Sequence, residues 1–134
     1  MIEIHIPLPP VSWKAPLKGK YGFYDPCEKE KRCARFYIRE QYEGDLITGY
    51  VIIKICFFFS VPKSFSKKKR ELALSNKIFP TKKDCTNMQK LYEDCLKGIV
   101  IEDDRKVIDI SSEKFYALKD SIYIRMSVLG EPSS

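Results

Sequence analysis

The chain has 134 residues, 24 Lys or Arg against 18 Asp or Glu, and a formal net charge of +6. That length suits one domain with one hydrophobic core. The longest apolar run, Tyr50 to Phe59, is broken by Lys54 and falls short of the ~20 residues a bilayer-spanning helix needs, and the start Met1-Ile2-Glu3-Ile4-His5 lacks the basic flank and apolar stretch of a signal peptide, so a cytoplasmic protein with no membrane partner is expected. Five cysteines leave one unpaired in any disulfide scheme and form no C-x-x-C pair, so reduced thiols are the simpler reading, although Cys27 and Cys33 could in principle join a metal site.

Residues 2–6 alternate apolar and polar, which predicts a strand with Glu3 and His5 opposite the isoleucines. From Pro7 to Pro26 the chain holds five of its eight prolines and reads as a long irregular segment. Trp13, Tyr21, Phe23 and Tyr24 lie there among Lys14, Lys18 and Lys20, a mixture suited to stacking on bases and pairing with phosphates, or else to anchoring the loop on the core. Asp25 before Pro26 predicts a helix start, with a charged helix running to about Tyr42. The β-branched and aromatic run 50–59 is too apolar for an edge and is expected to be the central strand.

Ser64 or Ser66 would cap a helix over about 67–77. Lys67, Lys68, Lys69 and Arg70 then fill its first turn, where the macrodipole is already positive, so they oppose helix stability. With Lys63, Lys82 and Lys83 nearby, contact with a DNA backbone explains the cluster better than an idle surface does. A further helix is expected from near Thr86 to Lys97, capped by Asp84 or Thr86 and stopped by Gly98. Its spacing puts Asn87, Lys90, Leu91 and Asp94 on one face. Glu102, Asp103 and Asp104 fall in a turn between the apolar segments 99–101 and 107–110, a placement that suits a hard divalent cation. Strands are expected at 114–116 and 121–129, and a disordered tail over 130–134.

Three blocks in this order resemble the RusA-like endodeoxyribonucleases, Holliday-junction resolvases often carried by prophages. They are Pro62 to Arg70, Asp84 to Lys90 with Asp94, and Gly98 to Asp104. The Pro9-Pro10 start with Trp13-Lys14, and Tyr24-Asp25-Pro26 before a charged helix, extend the likeness over most of the chain. The resemblance implies an α+β domain over 1–134, a mixed sheet packed with about three helices. It also implies a homodimer that binds four-way DNA junctions and nicks them symmetrically in recombination and repair, using Mg²⁺, or Mn²⁺, and no organic cofactor. Within a cell such a protein would sit on the nucleoid when bound to DNA.

Carried over residue by residue, Asp84, Lys90 and Asp104 are the implied catalytic residues. Asp84, Asp104 and Asp103 are the implied metal ligands, and Thr86, Asn87 and Asp94 are supporting neighbours. Two positions depart from the family pattern: Thr86 stands where a second acid is common, and Lys83 where a proline often precedes the first aspartate. Thr86 brings no negative charge, though its hydroxyl could hold a metal-bound water, and Asp94, Glu102 or Asp103 could compensate. A junction-binding protein with weakened or lost cleavage is therefore the alternative reading.

Overall fold

The apolar run 50–59 forms β4 (Tyr50–Ser60), the inner strand of a four-stranded sheet in a computed structural model that describes residues 1–130. Sheet order is β1 (Ile2–Ile6), β6 (Ser121–Gly130), β4, β5 (Val107–Ala117), with β4 antiparallel to β6 and parallel to β5. Period-2 patterning sets the register. Ile4, Ile124 and Ile55 are paired across three strands, as are Ile6, Ile122 and Phe57, so one sheet face becomes a continuous apolar wall.

Helices α1 (Glu28–Gln41) and α3 (Cys85–Leu96) cover that wall, burying Ala34 and Ile38 from the first and Met88, Leu91, Tyr92, Cys95 and Leu96 from the second. The opposite sheet face carries the half-exposed Ile52, Lys54, Cys56 and Phe58, with Lys54 paired to Glu113 at 2.7 Å. Helix α2 (Lys67–Leu74) stands where β4 and β5 end, and Phe65 just before it meets Tyr116 edge-on at 5.5 Å. The α+β class and the three helices agree with the sequence reading, and no helix among the described residues is long and apolar enough to cross a membrane.

Several boundaries differ from expectation. The segment 7–26 is not wholly irregular: β2 (Leu17–Gly19) and β3 (Gly22–Tyr24) make a separate antiparallel hairpin. Asp25 does not cap α1. Its Oδ1 accepts the Cys27 N–H at 2.8 Å, a local turn that delays the helix until Glu28, with Cys27 at the cap position. Helix α2 stops at Leu74 and not near 77, because Asn76 takes φ 59° and the Lys77 N–H closes onto the Leu72 carbonyl at 2.9 Å, a left-handed helix stop. Residues 107–117 form one strand instead of two pieces. Gly130, expected to begin a frayed tail, is paired with Tyr50, and the rest of that tail lies outside the described residues. His5 stays on the strand surface, stacked on Tyr123 at 4.6 Å between ring centroids.

Candidate active site

The acidic and basic residues singled out by sequence are arranged along α3. Its buried positions 88, 91, 92, 95 and 96 follow the i, i+3, i+4, i+7, i+8 rule, which turns Thr86, Lys90, Glu93 and Lys97 to the opposite side. Asp84 caps the helix, its Oδ1 accepting the Thr86 N–H at 3.0 Å. Gly98, at φ 83°, ends it. The chain then turns back tightly, the Gly98 N–H donating to the Ile101 carbonyl at 2.8 Å, and this return delivers the acidic turn to the C-terminal half of α3.

There the carboxylates meet lysines. Lys97 Nζ lies 3.2 Å from Asp94 Oδ1 and 3.6 Å from Asp104 Oδ2. Lys31 Nζ, on a buried α1 side chain, lies 3.7 Å from Asp94 Oδ2 and 2.8 Å from Asp25 Oδ2. Charge therefore alternates through Asp25, Lys31, Asp94, Lys97 and Asp104, and Arg35 adds a 3.2 Å bond to the Asp94 carbonyl. Burial is the largest single influence and would lower both lysines, but the bonds and charges of Asp25 and Asp94 around Lys31, and of Asp94 and Asp104 around Lys97, together outweigh it and raise their pKa values. The Lys31 bond likewise holds Asp25 below its usual range, with help from the Cys27 N–H. Glu93 is pushed up by burial first and then by the negative charges of Asp104 and Asp94.

Asp103 is committed elsewhere. Its Oδ1 accepts the Arg105 N–H and its Oδ2 the Arg105 Nε, each at 2.9 Å, and the first of these bonds holds its pKa down. It opens the 3₁₀ turn Asp104–Lys106, beside a cleft of about 390 Å³ lined by Ile47, Thr48, Glu102, Asp103, Arg105 and Lys106.

The N-terminal half of α3 is organised by the proline-rich segment. The Trp13 N–H donates to the Asn87 carbonyl at 3.0 Å, and Lys90 Nζ stands 3.6 Å from the centroid of the Trp13 ring, a cation–π contact that positions the exposed Lys90. Lys83 adopts φ 67°, which a proline ring cannot reach. Its Nζ donates to the Pro10 carbonyl at 2.6 Å, and its own carbonyl accepts Lys114 Nζ at 2.9 Å. Burial, and then the neighbouring charge of Lys82, lower its pKa. Lys83 is thus tied to the proline-rich segment while the residue stays exposed.

Asp84 stands at the N-terminal end of α3, whereas Lys97 ties Asp104 to Asp94 near the other end. Asp94, which Lys97 joins to Asp104, lies ten residues along the chain from Asp84, about 15 Å of helix rise. No group of three or more His, Cys, Asp and Glu side chains is placed to hold a metal among the described residues. Asp94 and Asp104 do converge, on the Lys97 ammonium. Mg²⁺ takes hard oxygen ligands and commonly only one or two carboxylates with waters and substrate phosphate, a donor set that this pair can supply. Sequence reasoning missed Lys97, Glu93 and the pair Asp25 and Lys31. The i, i+4 spacing of Glu93 and Lys97 was the available signal for the first two, whereas the role of Asp25 and Lys31 depends on how α1 packs on α3.

The other basic residues gather at the far end of the sheet. Lys63, Lys67, Lys68, Lys69, Arg70 and Lys82 are exposed there. Ser66 Oγ caps α2 by accepting the Lys69 N–H at 3.2 Å. Lys69 stands over Phe65 at 4.2 Å and Lys82 over Phe59 at 5.5 Å. Both ammonium groups thus sit over aromatic rings, at the end of α3 that Asp84 caps.

A family model described as endodeoxyribonuclease RusA matches residues 7–127. A relative from Bacillus subtilis (strain 168), the uncharacterized protein YqaN, is 32% identical over 104 residues, which is 74% of this chain and 73% of that protein. No solved structure matches.

Proposed function

This chain belongs to the RusA endodeoxyribonuclease family, and from that premise we propose that it is a Mg²⁺-dependent dimeric nuclease that resolves four-way DNA junctions by paired nicks. The observation that carries this reading is the convergence of Asp94 and Asp104 on a positive charge, on the helix that also presents Lys90. Asp94 and Asp104 would hold the ion, which supplies Lewis-acid polarisation of a phosphate oxygen and activation of water. Lys97 keeps the two carboxylates together by bridging them. Lys90, steadied by Trp13, offsets charge building on the phosphate during strand cleavage. Asp84 fixes the first turn of α3 through the Thr86 N–H and stands as an acceptor at the other end of the same surface.

Lys63, Lys67 to Arg70 and Lys82 would hold the flanking backbone, so binding should weaken steeply with salt, the logarithmic slope falling by about 0.9 for each phosphate contact removed. A symmetric junction with two cut sites calls for a two-fold dimer. The half-exposed sheet face of Ile52, Cys56 and Phe58 supplies a candidate interface.

One observation favours a second reading, a junction-binding protein with little cleavage: no acid stands in the first turn of α3, where the family commonly has one. The deciding experiment incubates a labelled four-way junction with the protein, with Mg²⁺ or Mn²⁺ and without, beside Asp104→Asn and Lys90→Ala. Paired nicks that need the metal and vanish in Asp104→Asn are expected. Tight, salt-sensitive binding with no cut in either metal would replace the nuclease reading with the second one.

A further inference from the structure

The β2–β3 hairpin is paired only with itself, yet it displays large apolar side chains to water. Tyr21 at its tip is 94% exposed and Phe23 76%, with Leu17 and Tyr24 also open. A two-stranded ribbon is marginal alone, and this one is shaped by its glycines. Gly22 takes φ 112°, and a side chain at Gly19 would meet the Tyr24 ring at 3.1 Å. Lys18 is paired across the ribbon with Phe23, and Lys20 Nζ lies 5.6 Å from the Tyr21 ring centroid. Aromatic faces and ammonium groups therefore alternate around an exposed tip. Soluble surfaces rarely leave such rings open unless they meet a partner.

We propose that this hairpin takes up unstacked bases at the branch point of the DNA, Tyr21 and Phe23 offering ring faces while Lys14, Lys18 and Lys20 pair with the adjacent phosphates. This rests on the reading of the chain as a junction nuclease. Charge complementarity selects nucleic acid over an apolar protein partner, since three lysines flank the rings and no acid lies between Trp13 and Tyr24. Continuity with the candidate active site supports the same conclusion. Trp13, just before the hairpin, holds Lys90 and is bonded to Asn87, so a strand cut at α3 and a base held by the hairpin would belong to one DNA molecule. Branch points supply the ligand, because their bases are already partly unstacked and need less disruption than bases within a duplex.

The test uses the full chain in metal-free buffer with a synthetic four-way junction carrying 2-aminopurine beside the crossover, and a linear duplex of the same length. Wild type is compared with the double variant Tyr21→Ala, Phe23→Ala. Both rings are exposed, so the thermal midpoint should not move, and a midpoint shift in the double variant would show instead that the rings support the fold and would overturn the inference. Wild type should change the 2-aminopurine fluorescence on binding. The double variant should lose that change and bind the junction about tenfold or more weakly, with its duplex affinity within about twofold of wild type. Unchanged junction affinity and fluorescence response in the double variant would overturn the hairpin inference and leave the nuclease reading standing. Wild type that binds the junction no better than the duplex would overturn both.

Discussion

Replacing Thr86 with the acid common in the family tests the metal site proposed at Asp94 and Asp104. Thr86 is exposed in the first turn of α3, which holds no acidic residue. A carboxylate there would gain about 0.3–1 kcal/mol from the helix dipole. Repulsion from Asp84, at about 5 Å in water, would take back about 0.8 kcal/mol. Thr86→Asp should therefore leave stability within about 0.5 kcal/mol of wild type. Its effect on the metal depends on distance. Asp94 lies eight residues further along the helix, about 12 Å of rise. At that range a unit charge attracts a divalent ion by about 0.7 kcal/mol in water, about threefold in affinity, and most of this is screened at 0.15 M salt, where the Debye length is about 8 Å. Titration of Mn²⁺ by calorimetry at low and moderate salt, with thermal unfolding of the same samples, measures both quantities. A gain of about a hundredfold, persisting in salt, would place residue 86 directly on the ion and refute the assignment to Asp94 and Asp104.

Lys31→Met should destabilise by about 2 kcal/mol and lower the melting temperature by roughly 5–10 °C, because it leaves Asp25 without its lysine and Asp94 with Lys97 alone, beside a buried apolar stem; an unchanged melt would show that the charge run contributes nothing. Lys83→Gly and Lys83→Ala both lose the bond to the Pro10 carbonyl, but only glycine relieves the φ of 67°. The glycine variant should thus be the more stable by about 1 kcal/mol in urea unfolding, and equal stabilities would contradict the positive φ. Asp25 titrates below its usual 3.8, so its stabilisation is complete above that pH and is lost as pH falls through the lower folded value. Asp25→Asn should accordingly melt below wild type near neutral pH, and the gap should close in strong acid.

Most of the sheet was readable because β1, β4 and β6 follow period 2, whereas β5 does not and was read as two pieces. The run 50–60 and the alternation of Ile122, Ile124 and Met126 name both the inner strands and the face they bury. The hairpin was hidden in a proline-rich stretch, where β2 and β3 of three residues each are too short for periodicity to register. The two ends of α3 were likewise legible, Asp84 as cap and Gly98 as stop. Nothing in the spacing of the motif blocks revealed which end of the helix the acidic turn revisits. That depends on the tight return after Gly98 and on the bond from the Glu102 N–H to the Ile47 carbonyl at 3.1 Å, a contact across more than fifty residues of sequence. The tie of Lys83 to the Pro10 carbonyl is hidden for a related reason: its charge is visible in sequence, whereas its partner 73 residues away is not.

The parallel pairing of β4 with β5 has a kinetic consequence. Residues 61–106 all lie in the connection between these two strands, and they include α2, α3, the acidic turn and every residue assigned here to metal or phosphate apart from those of the hairpin segment. Closing so long a connection is slow, because chain entropy is lost before the parallel ladder returns any stabilisation. The acidic turn leads directly into β5, so its placement against α3 waits on that late step. A nascent chain would therefore carry its basic helix and its lysine-flanked hairpin well before it could hold a divalent ion, and nucleic-acid affinity should precede nuclease competence during refolding.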